Sequence, residues 1–337
     1  MGSSLSKRLV LLVKGKRPSA FQQKRASDPE LDSDGVWKLQ RGKIGSGASA
    51  CVRVISREGH SEKYAVKMFL RMHRESDAAY RQRVEREFNI AVSLQHANIL
   101  QTLSLGARDD TLYCVMEYCS AGDLFDLIEK GMQWEHKYRL LKQLLRGVKY
   151  LHDRGIAHRD IKPENIVMAD PNCLKICDFG DAIVFRDPDA STPSSGNGAE
   201  HVDLCYCRNI GTKGYHPPEL ARPEPYDPRP FDVWCTGLTC LFMFVERYSW
   251  DVADPEEDIY YALFDVGWRA FRLRHQDRIP TDTSYPGCSG CFRILDQTKE
   301  IHAGFRTLIF RMLDPDPAKR ITIDEALNLP WVQAIDC

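Results

Sequence analysis

The segment His158-Arg159-Asp160-Ile161-Lys162-Pro163-Glu164-Asn165 gathers an unusual set of polar side chains, and Asp178-Phe179-Gly180 follows thirteen residues after Asn165. The residue types suit phosphoryl transfer from ATP. That reaction makes little covalent demand on a protein and needs alignment and charge neutralisation instead. Asp160 is placed to orient an incoming hydroxyl and accept its proton. Lys162, two residues on, is placed beside the transferring phosphate. Asn165 and Asp178 offer hard oxygen ligands of the kind Mg²⁺ takes. Each residue alone has a bland reading as a surface carboxylate, a capping amide or a turn. The ordered set does not.

A second group lies upstream. Ile44-Gly45-Ser46-Gly47-Ala48-Ser49-Ala50-Cys51-Val52 sits between two expected strands. Glycines there let backbone N–H groups approach phosphate oxygens with no Cβ in the way. The signal is weak by itself, and Ala50 stands where the usual pattern has a third glycine. Lys67, in Tyr64-Ala65-Val66-Lys67, falls on an otherwise apolar strand. A cation there needs an anionic partner, and Glu87 on the following helix can supply one.

These groups require particular elements to hold them. Alternation and turn residues predict strands at Trp37–Ile44, Cys51–Ser56 and Lys63–Phe69, then at Ile99–Leu105 and Thr111–Glu117. Residues 76–94 place Tyr80, Val84, Phe88 and Ala91 at helical spacing. From Asp123 the pattern turns helical, with Leu141, Leu144, Leu145, Val148 and Leu151 on one face and Gly155 as a stop. Ile166–Met168 and Leu174–Cys177 flank Asp170-Pro171-Asn172, a short hairpin that brings Asn165 and Asp178 together. After residue 231 the chain is again mostly helical, and residues 187–207 show no periodicity.

The combined motifs resemble the protein kinase family over about residues 36–335. Further matching segments are Gly211-Thr212-Lys213-Gly214-Tyr215, His216-Pro217-Pro218-Glu219, Asp232-Val233-Trp234 and Asp316-Pro317-Ala318-Lys319-Arg320. The resemblance implies an α+β, bilobed fold. Its N-lobe, about 34–117, would hold a five-stranded antiparallel sheet and one main helix; its C-lobe, about 120–335, would be mostly helical. It implies catalytic roles for Asp160, Lys162, Lys67 and Glu87, and Mg²⁺ ligation by Asn165 and Asp178. ATP would be bound by Ile44, Gly45, Gly47, Val52, Ala65, Lys67, Glu117, Cys119 and Val167, with Met116 as gatekeeper and Glu117–Cys119 as hinge. A buried Glu219–Arg320 ion pair and an Asp232 that holds the catalytic loop are also implied.

Lys162, Pro163 and Thr212 resemble the serine/threonine type, so the expected partners are proteins with Ser or Thr acceptors. Asp123 and Glu164 imply a preference for basic residues in them. The stretch from Asp178 to Glu219 is long, and Asp178-Phe179-Gly180-Asp181 is similar to fungal halotolerance and nutrient-permease-regulating kinases. Arg208 stands four before Thr212, where many kinases carry an activating phosphate. Arg159 and Arg208 would repel across an empty pocket unless Asp203 or Glu200 bridged them. The rival expectation is a phosphate on Ser191, Thr192, Ser194 or Ser195. A catalytically silent scaffold is the alternative function. A lipid or small-molecule phosphotransferase fits less well, because Gly211–Glu219 resembles a peptide platform.

Composition sets the remaining bounds. Of 337 residues, 43% are hydrophobic and 28% charged, which is globular usage. The 46 Lys and Arg nearly balance 47 Asp and Glu, so charge points to no nucleic-acid partner. The balance is uneven along the chain. Residues 1–27 carry seven basic residues and no acid, which marks 1–33 as a flexible basic arm ahead of a domain spanning 34–335. Met1-Gly2-Ser3-Ser4-Leu5-Ser6 fits N-myristoylation at Gly2, with Lys7, Arg8, Lys14, Lys16 and Arg17 as a second membrane signal. Peripheral membrane contact through residues 1–27 is therefore expected of an otherwise cytoplasmic protein. No segment approaches the ~20 apolar residues of a transmembrane helix. The twelve cysteines are read as reduced thiols, with Cys205, Cys207, Cys288 and Cys291 lacking familiar zinc-site spacing.

Overall fold

A computed structural model describes residues 10–11, 37–40, 42–47, 49–57, 61–108, 110–186, 202–276, 278–287 and 290–337. Most of the expected arm, Gly2 included, the Ser191–Ser195 sites, Glu200 and Cys288 lie outside the described residues. The chain divides into two units. One comprises Met1–His96 and Leu100–Ser120, the other Ala97–Ile99 and Ala121–Cys337.

The first unit is built on an antiparallel sheet. Its strands are β1 (Val10–Leu11), β2 (Trp37–Leu39), β3 (Gly45–Ser46), β4 (Ala50–Arg57), β5 (Lys63–Phe69), β6 (Thr102–Arg108) and β7 (Thr111–Glu117). The order is β1-β6-β7-β5-β4-β2, with β3 also on β4. The five expected strands are present, and two short ones join them. One of these, β1, comes from the segment read as a flexible arm and pairs Val10 with Ala107.

Helix α1 (Asp77–Val92) starts where the Ser76 side chain accepts a hydrogen bond from the Ala79 N–H at 3.2 Å. That satisfies one of the unpaired donors of the first turn. Its Tyr80 and Val84 pack with Ala50, Phe69, Leu105, Leu112 and Cys114 in one buried cluster. Tyr80 also ties the sheet: its hydroxyl donates to the Phe69 carbonyl at 3.0 Å and accepts from the Leu112 N–H at 2.9 Å. The other face of the sheet buries Ile55, Val66, Tyr113 and Val115.

The second unit begins with α2 (Leu124–Glu129) and α3 (Trp134–Asp153). The apolar face read from the sequence of α3 is its buried face, and Leu141, Leu145, Val148 and Leu151 are fully enclosed. Gly155 follows at φ +69, where a Cβ would sit 2.0 Å from the Arg186 carbonyl oxygen. Only glycine fits there. Short strands β8 (Ile156–Ala157), β9 (Ile166–Asp170), β10 (Cys173–Ile176) and β11 (Ile183–Val184) follow; β9 pairs with β10 and β8 with β11. Helix α4 (Pro228–Val245) is buried along almost its whole length. Around it lie α5 (Ile259–His275), α6 (Arg293–Gln297), α7 (Ala303–Met312), α8 (Ile323–Leu327) and α9 (Pro330–Gln333).

Two strand expectations need correction. The first strand was expected to run to Ile44 but stops at Leu39, and Gly42 beyond it takes φ +98. The fourth was expected to begin at Ile99 but begins at Thr102. Residues 97–99 belong to the second unit, where the Asn98 carbonyl accepts from Ile176 N–H at 2.9 Å.

Candidate active site

In the first unit the Gly45–Gly47 turn is closed by backbone bonds. Ile44 N–H donates to Val52 and Gly47 N–H to Ala50, each at 2.9 Å. A Cβ at Gly47 would meet nothing within 4 Å, and one at Gly45 would make only ordinary contact with Val52. Packing inside the protein therefore explains neither glycine. Ala50, at the third glycine position, is a core residue of β4 and not part of the turn. Ile44 is largely exposed.

Strand register assembles the next group. Val52 lies opposite Lys67, Val54 opposite Ala65, Ala65 opposite Met116 and Lys67 opposite Cys114. Alternation then places Val52, Ala65, Lys67 and Met116 on one face of the sheet. Lys67 Nζ meets Glu87 Oε1 of α1 at 2.6 Å, and both side chains are buried. A charge in that position requires a charged, hydrogen-bonded partner, so the pair fixes α1 against β5. Burial pushes the Cys114 thiol pKa up, with the Glu87 charge adding to the effect. Glu117 Oε1 accepts from the Gln101 N–H at 2.6 Å at the end of β7, and Cys119 follows, half-buried.

In the second unit the residues 158–165 surround Asp160. Lys162 Nζ donates to its Oδ2 at 2.8 Å, Asn165 Nδ2 to the same oxygen at 2.7 Å, and Thr212 Oγ1 to its Oδ1 at 2.8 Å. Lys162 Nζ also lies 2.5 Å from Thr212 Oγ1. Asn165 donates a further bond to the Asp160 carbonyl at 2.8 Å. Its amide hydrogens are directed at Asp160, which leaves its Oδ1 as an acceptor. The β9–β10 hairpin ends where Cys177 N–H donates to the Asn165 carbonyl at 2.9 Å, one residue before Asp178. Asp178 holds φ +64, an uncommon conformation for a residue with a Cβ. Val167 of β9 is half-buried and forms a bridge with Asp123.

The backbone of this loop is held from below. Asp232 on α4 accepts from the His158 N–H at 2.8 Å and the Arg159 N–H at 2.7 Å, while His152 Nε2 lies 3.0 Å away. His158 Nε2 contacts the Cys177 carbonyl at 2.9 Å, and its Nδ1 accepts from Asp160 N–H at 3.2 Å. A carbonyl can only accept, so the proton is on Nε2. One imidazole thus spans the loop and the strand before Asp178. The implied Glu219–Arg320 pair is formed by two buried contacts of 2.5 and 2.6 Å.

Sequence reasoning gave no role to Asp181. Its Oδ2 accepts from Gly211 N–H and its carbonyl from Arg159 Nε, both at 2.8 Å. It thereby couples residues 159 and 211; the only signal was an acid directly after Asp178-Phe179-Gly180. The expectation for Arg208 is an acidic bridge to Arg159. Arg208 instead donates to the carbonyls of Leu220 at 2.6 Å and Glu224 at 2.5 Å. Backbone oxygens thus hold Arg208, while Arg159 Nη1 is buried with no hydrogen-bond partner among the described residues. Asp123 is partly engaged as well: it caps α2 by accepting from Asp126 N–H at 2.8 Å, and burial raises its pKa.

Comparison with known proteins gives the same reading. The chain is 34% identical over 306 residues to serine/threonine-protein kinase hal4 of Schizosaccharomyces pombe, covering 87% of this chain and 42% of that protein. It is 34% identical over 305 residues to serine/threonine-protein kinase HAL4/SAT4 of Saccharomyces cerevisiae, covering 87% and 45%. To the nitrogen permease reactivator protein of the same yeast it is 30% identical over 318 residues, covering 87% and 38%. The chain thus spans less than half the length of these relatives. Residues 39–332 match the protein kinase domain, and with Lys67–Glu87 in one unit and the Asp160 cluster in the other, the chain belongs to the protein kinase family, in the group of these fungal enzymes.

Proposed function

We propose that the chain is an ATP-dependent protein serine/threonine kinase. The observation that carries this reading is the Asp160 carboxylate, held by Lys162, Asn165 and Thr212 at 2.7–2.8 Å. Such an arrangement fixes a carboxylate before an acceptor hydroxyl arrives. Asp160 orients that hydroxyl and takes its proton, a contribution of about 10²–10⁴-fold in rate for a positioned base. Lys162 bridges Asp160 and the hydroxyl of Thr212, so a positive charge stands beside the acceptor. Lys67, held by Glu87, presents its ammonium to ATP phosphates.

The donor set fits Mg²⁺. Asn165 keeps an amide oxygen as an acceptor, and Asp178 adds a carboxylate one residue beyond the hairpin junction. A bound Mg²⁺ would neutralise phosphate charge during transfer. The glycines at 45 and 47, which internal packing does not require, leave room for phosphate oxygens near backbone N–H groups. In the first unit Ile44, Val52 and Ala65 form the apolar contacts to adenine, and Glu117 and Cys119 supply its polar edge.

The acceptors are Ser and Thr of protein substrates, and Asp123 and Glu164 favour basic residues in them. No helix among the described residues is long and apolar enough to cross a membrane. Gly2 acylation with the basic residues 7–17 gives peripheral attachment of a cytoplasmic enzyme, each basic group adding about 1 kcal/mol near an anionic surface. Incorporation of a myristate analogue, absent in Gly2→Ala, tests that part. For the activity, the full chain is incubated with Mg-ATP on a peptide array beside Asp160→Asn. Incorporation into Ser and Thr peptides that the variant lacks is expected. Equal incorporation by the folded variant, or tyrosine as main acceptor, would overturn the reading.

A further inference from the structure

Helix α5 is apolar on two opposite faces. Tyr261, Phe264, Trp268 and Phe271 point inward and are buried, where Phe264 and Trp268 meet Trp250, Phe292 and Phe310. Ile259, Leu263, Val266, Ala270 and Leu273 form a second stripe on the opposite side. Ala270 is half-buried and the other four are exposed, with Ile259 68%, Val266 60% and Leu273 85% accessible. A helix that is apolar all round normally has cover all round. Here the inner face has it, and the outer face has none among the described residues. The stripe advances in steps of four, three, four and three residues. Its average period of 3.5 keeps a seam in line along another helix.

We infer that this stripe docks on α5 of a second copy of the chain, antiparallel about a two-fold axis midway between Leu263 and Val266. Two features select a second copy over any other occupant. About that axis the stripe pairs with itself, so Leu263 meets Val266 of the other copy and Ile259 meets the smaller Ala270. Charge is arranged the same way. Asp254, Glu256 and Glu257 precede the N-terminus of α5, while Arg269 and Arg274 lie toward its C-terminus. Antiparallel pairing sets the acidic end of one helix beside the basic end of its mate, twice. A two-fold interface must be self-complementary in this way. Among the described residues Glu257 pairs with the exposed Lys213 at 3.4 Å, and Arg269 with Asp265 at 2.6 Å. Arg274 has no ion pair among the described residues.

Sedimentation equilibrium of the full chain across micromolar concentrations tests the inference. A reversible monomer–dimer equilibrium is expected. Val266→Asp places a charge in each of the two central layers and should weaken the dimer at least roughly tenfold, as loss of a central apolar contact does. Charge exchange identifies the partner. Arg274→Glu alone and Glu256→Lys with Glu257→Lys alone should each weaken self-association, and an equimolar mixture should restore dimers. Circular dichroism and peptide phosphorylation report whether each variant is folded. A wild-type chain that is monomeric throughout, a dimer indifferent to Val266→Asp, or a mixture no tighter than its components would each overturn the inference. The first result would leave a different protein as the occupant of the stripe.

Discussion

Both oxygens of the Asp160 carboxylate already have donors: Thr212 on Oδ1, and Lys162 and Asn165 on Oδ2. Asn at this position would keep the shape and lose the charge. It would also turn one NH₂ group toward donors, since all three neighbours donate. Asp160→Asn should therefore lower phosphoryl transfer by about 10²-fold or more, the size seen when one oriented polar group is removed. Single-turnover rates with saturating Mg-ATP check this, and Lys67→Met should lose as much. A less obvious position is Gly211. It holds φ +67, and a Cβ there would sit 2.6 Å from the Arg159 carbonyl oxygen. Its neighbour Thr212 donates to Asp160, so relief of the clash must disturb the acceptor side. Gly211→Ala should reduce kcat at least about tenfold while nucleotide affinity, measured by titration calorimetry, changes little. Unchanged kcat in a folded Gly211→Ala protein would show that this contact does not position the site.

At the scale of elements, the segment after Asp181 shows how an arginine at residue 208 is accommodated. Cys205 and Tyr226 exchange backbone bonds of 2.8 and 3.0 Å, Tyr226 Oη donates to the Cys207 carbonyl at 2.8 Å, and Arg208 holds the Leu220 and Glu224 carbonyls. The Arg159 charge bears on both Cys205 and Tyr226, although burial still raises the pKa of each. Segments ordered by phosphorylation rely on a new phosphate–arginine pair. Here the arginine at 208 is already held by two carbonyls without a phosphate. Phosphatase-treated protein should thus keep most of its rate, and Ser191, Thr192, Ser194 and Ser195 all replaced by Ala should change little. Arg208→Ala should lower the rate several-fold by releasing two carbonyls. Loss of activity on phosphatase treatment, regained on rephosphorylation, would refute this. The same segment shows what the sequence could not reveal. Lys63–Phe69 was legible because an apolar run lay between turn residues. Asp160, Lys162 and Asn165 were legible because their spacing is local. Arg208 and Asp181 act largely through backbone atoms, which leave no complementary side chain to read. Ile99 looked like strand, yet its neighbour Asn98 bonds to Ile176, a partner 78 residues away that no local pattern encodes.

At the scale of the molecule, each unit has its own core, and the second is joined across long sequence separations by buried charge. Arg320 is the clearest case. It meets both Glu219 oxygens, donates to the carbonyls of Asp314 at 2.7 Å and Pro230 at 3.0 Å, and lies 4.8 Å from the Trp234 ring. A single guanidinium thus ties the end of the segment before α4, the start of α4 and the turn after α7. Removing one member of a buried pair leaves an uncompensated charge and costs about 3–5 kcal/mol. Replacing both by apolar residues often restores stability elsewhere. It should not do so here, because the Asp314 carbonyl would lose its donor and a buried acceptor left unpaired costs about 1–3 kcal/mol. Glu219→Leu and Arg320→Met should each lower the urea midpoint sharply, and the double variant should recover only part of the loss. A double variant as stable as the wild type would show that the carbonyl contacts contribute nothing and that the pair alone makes the junction.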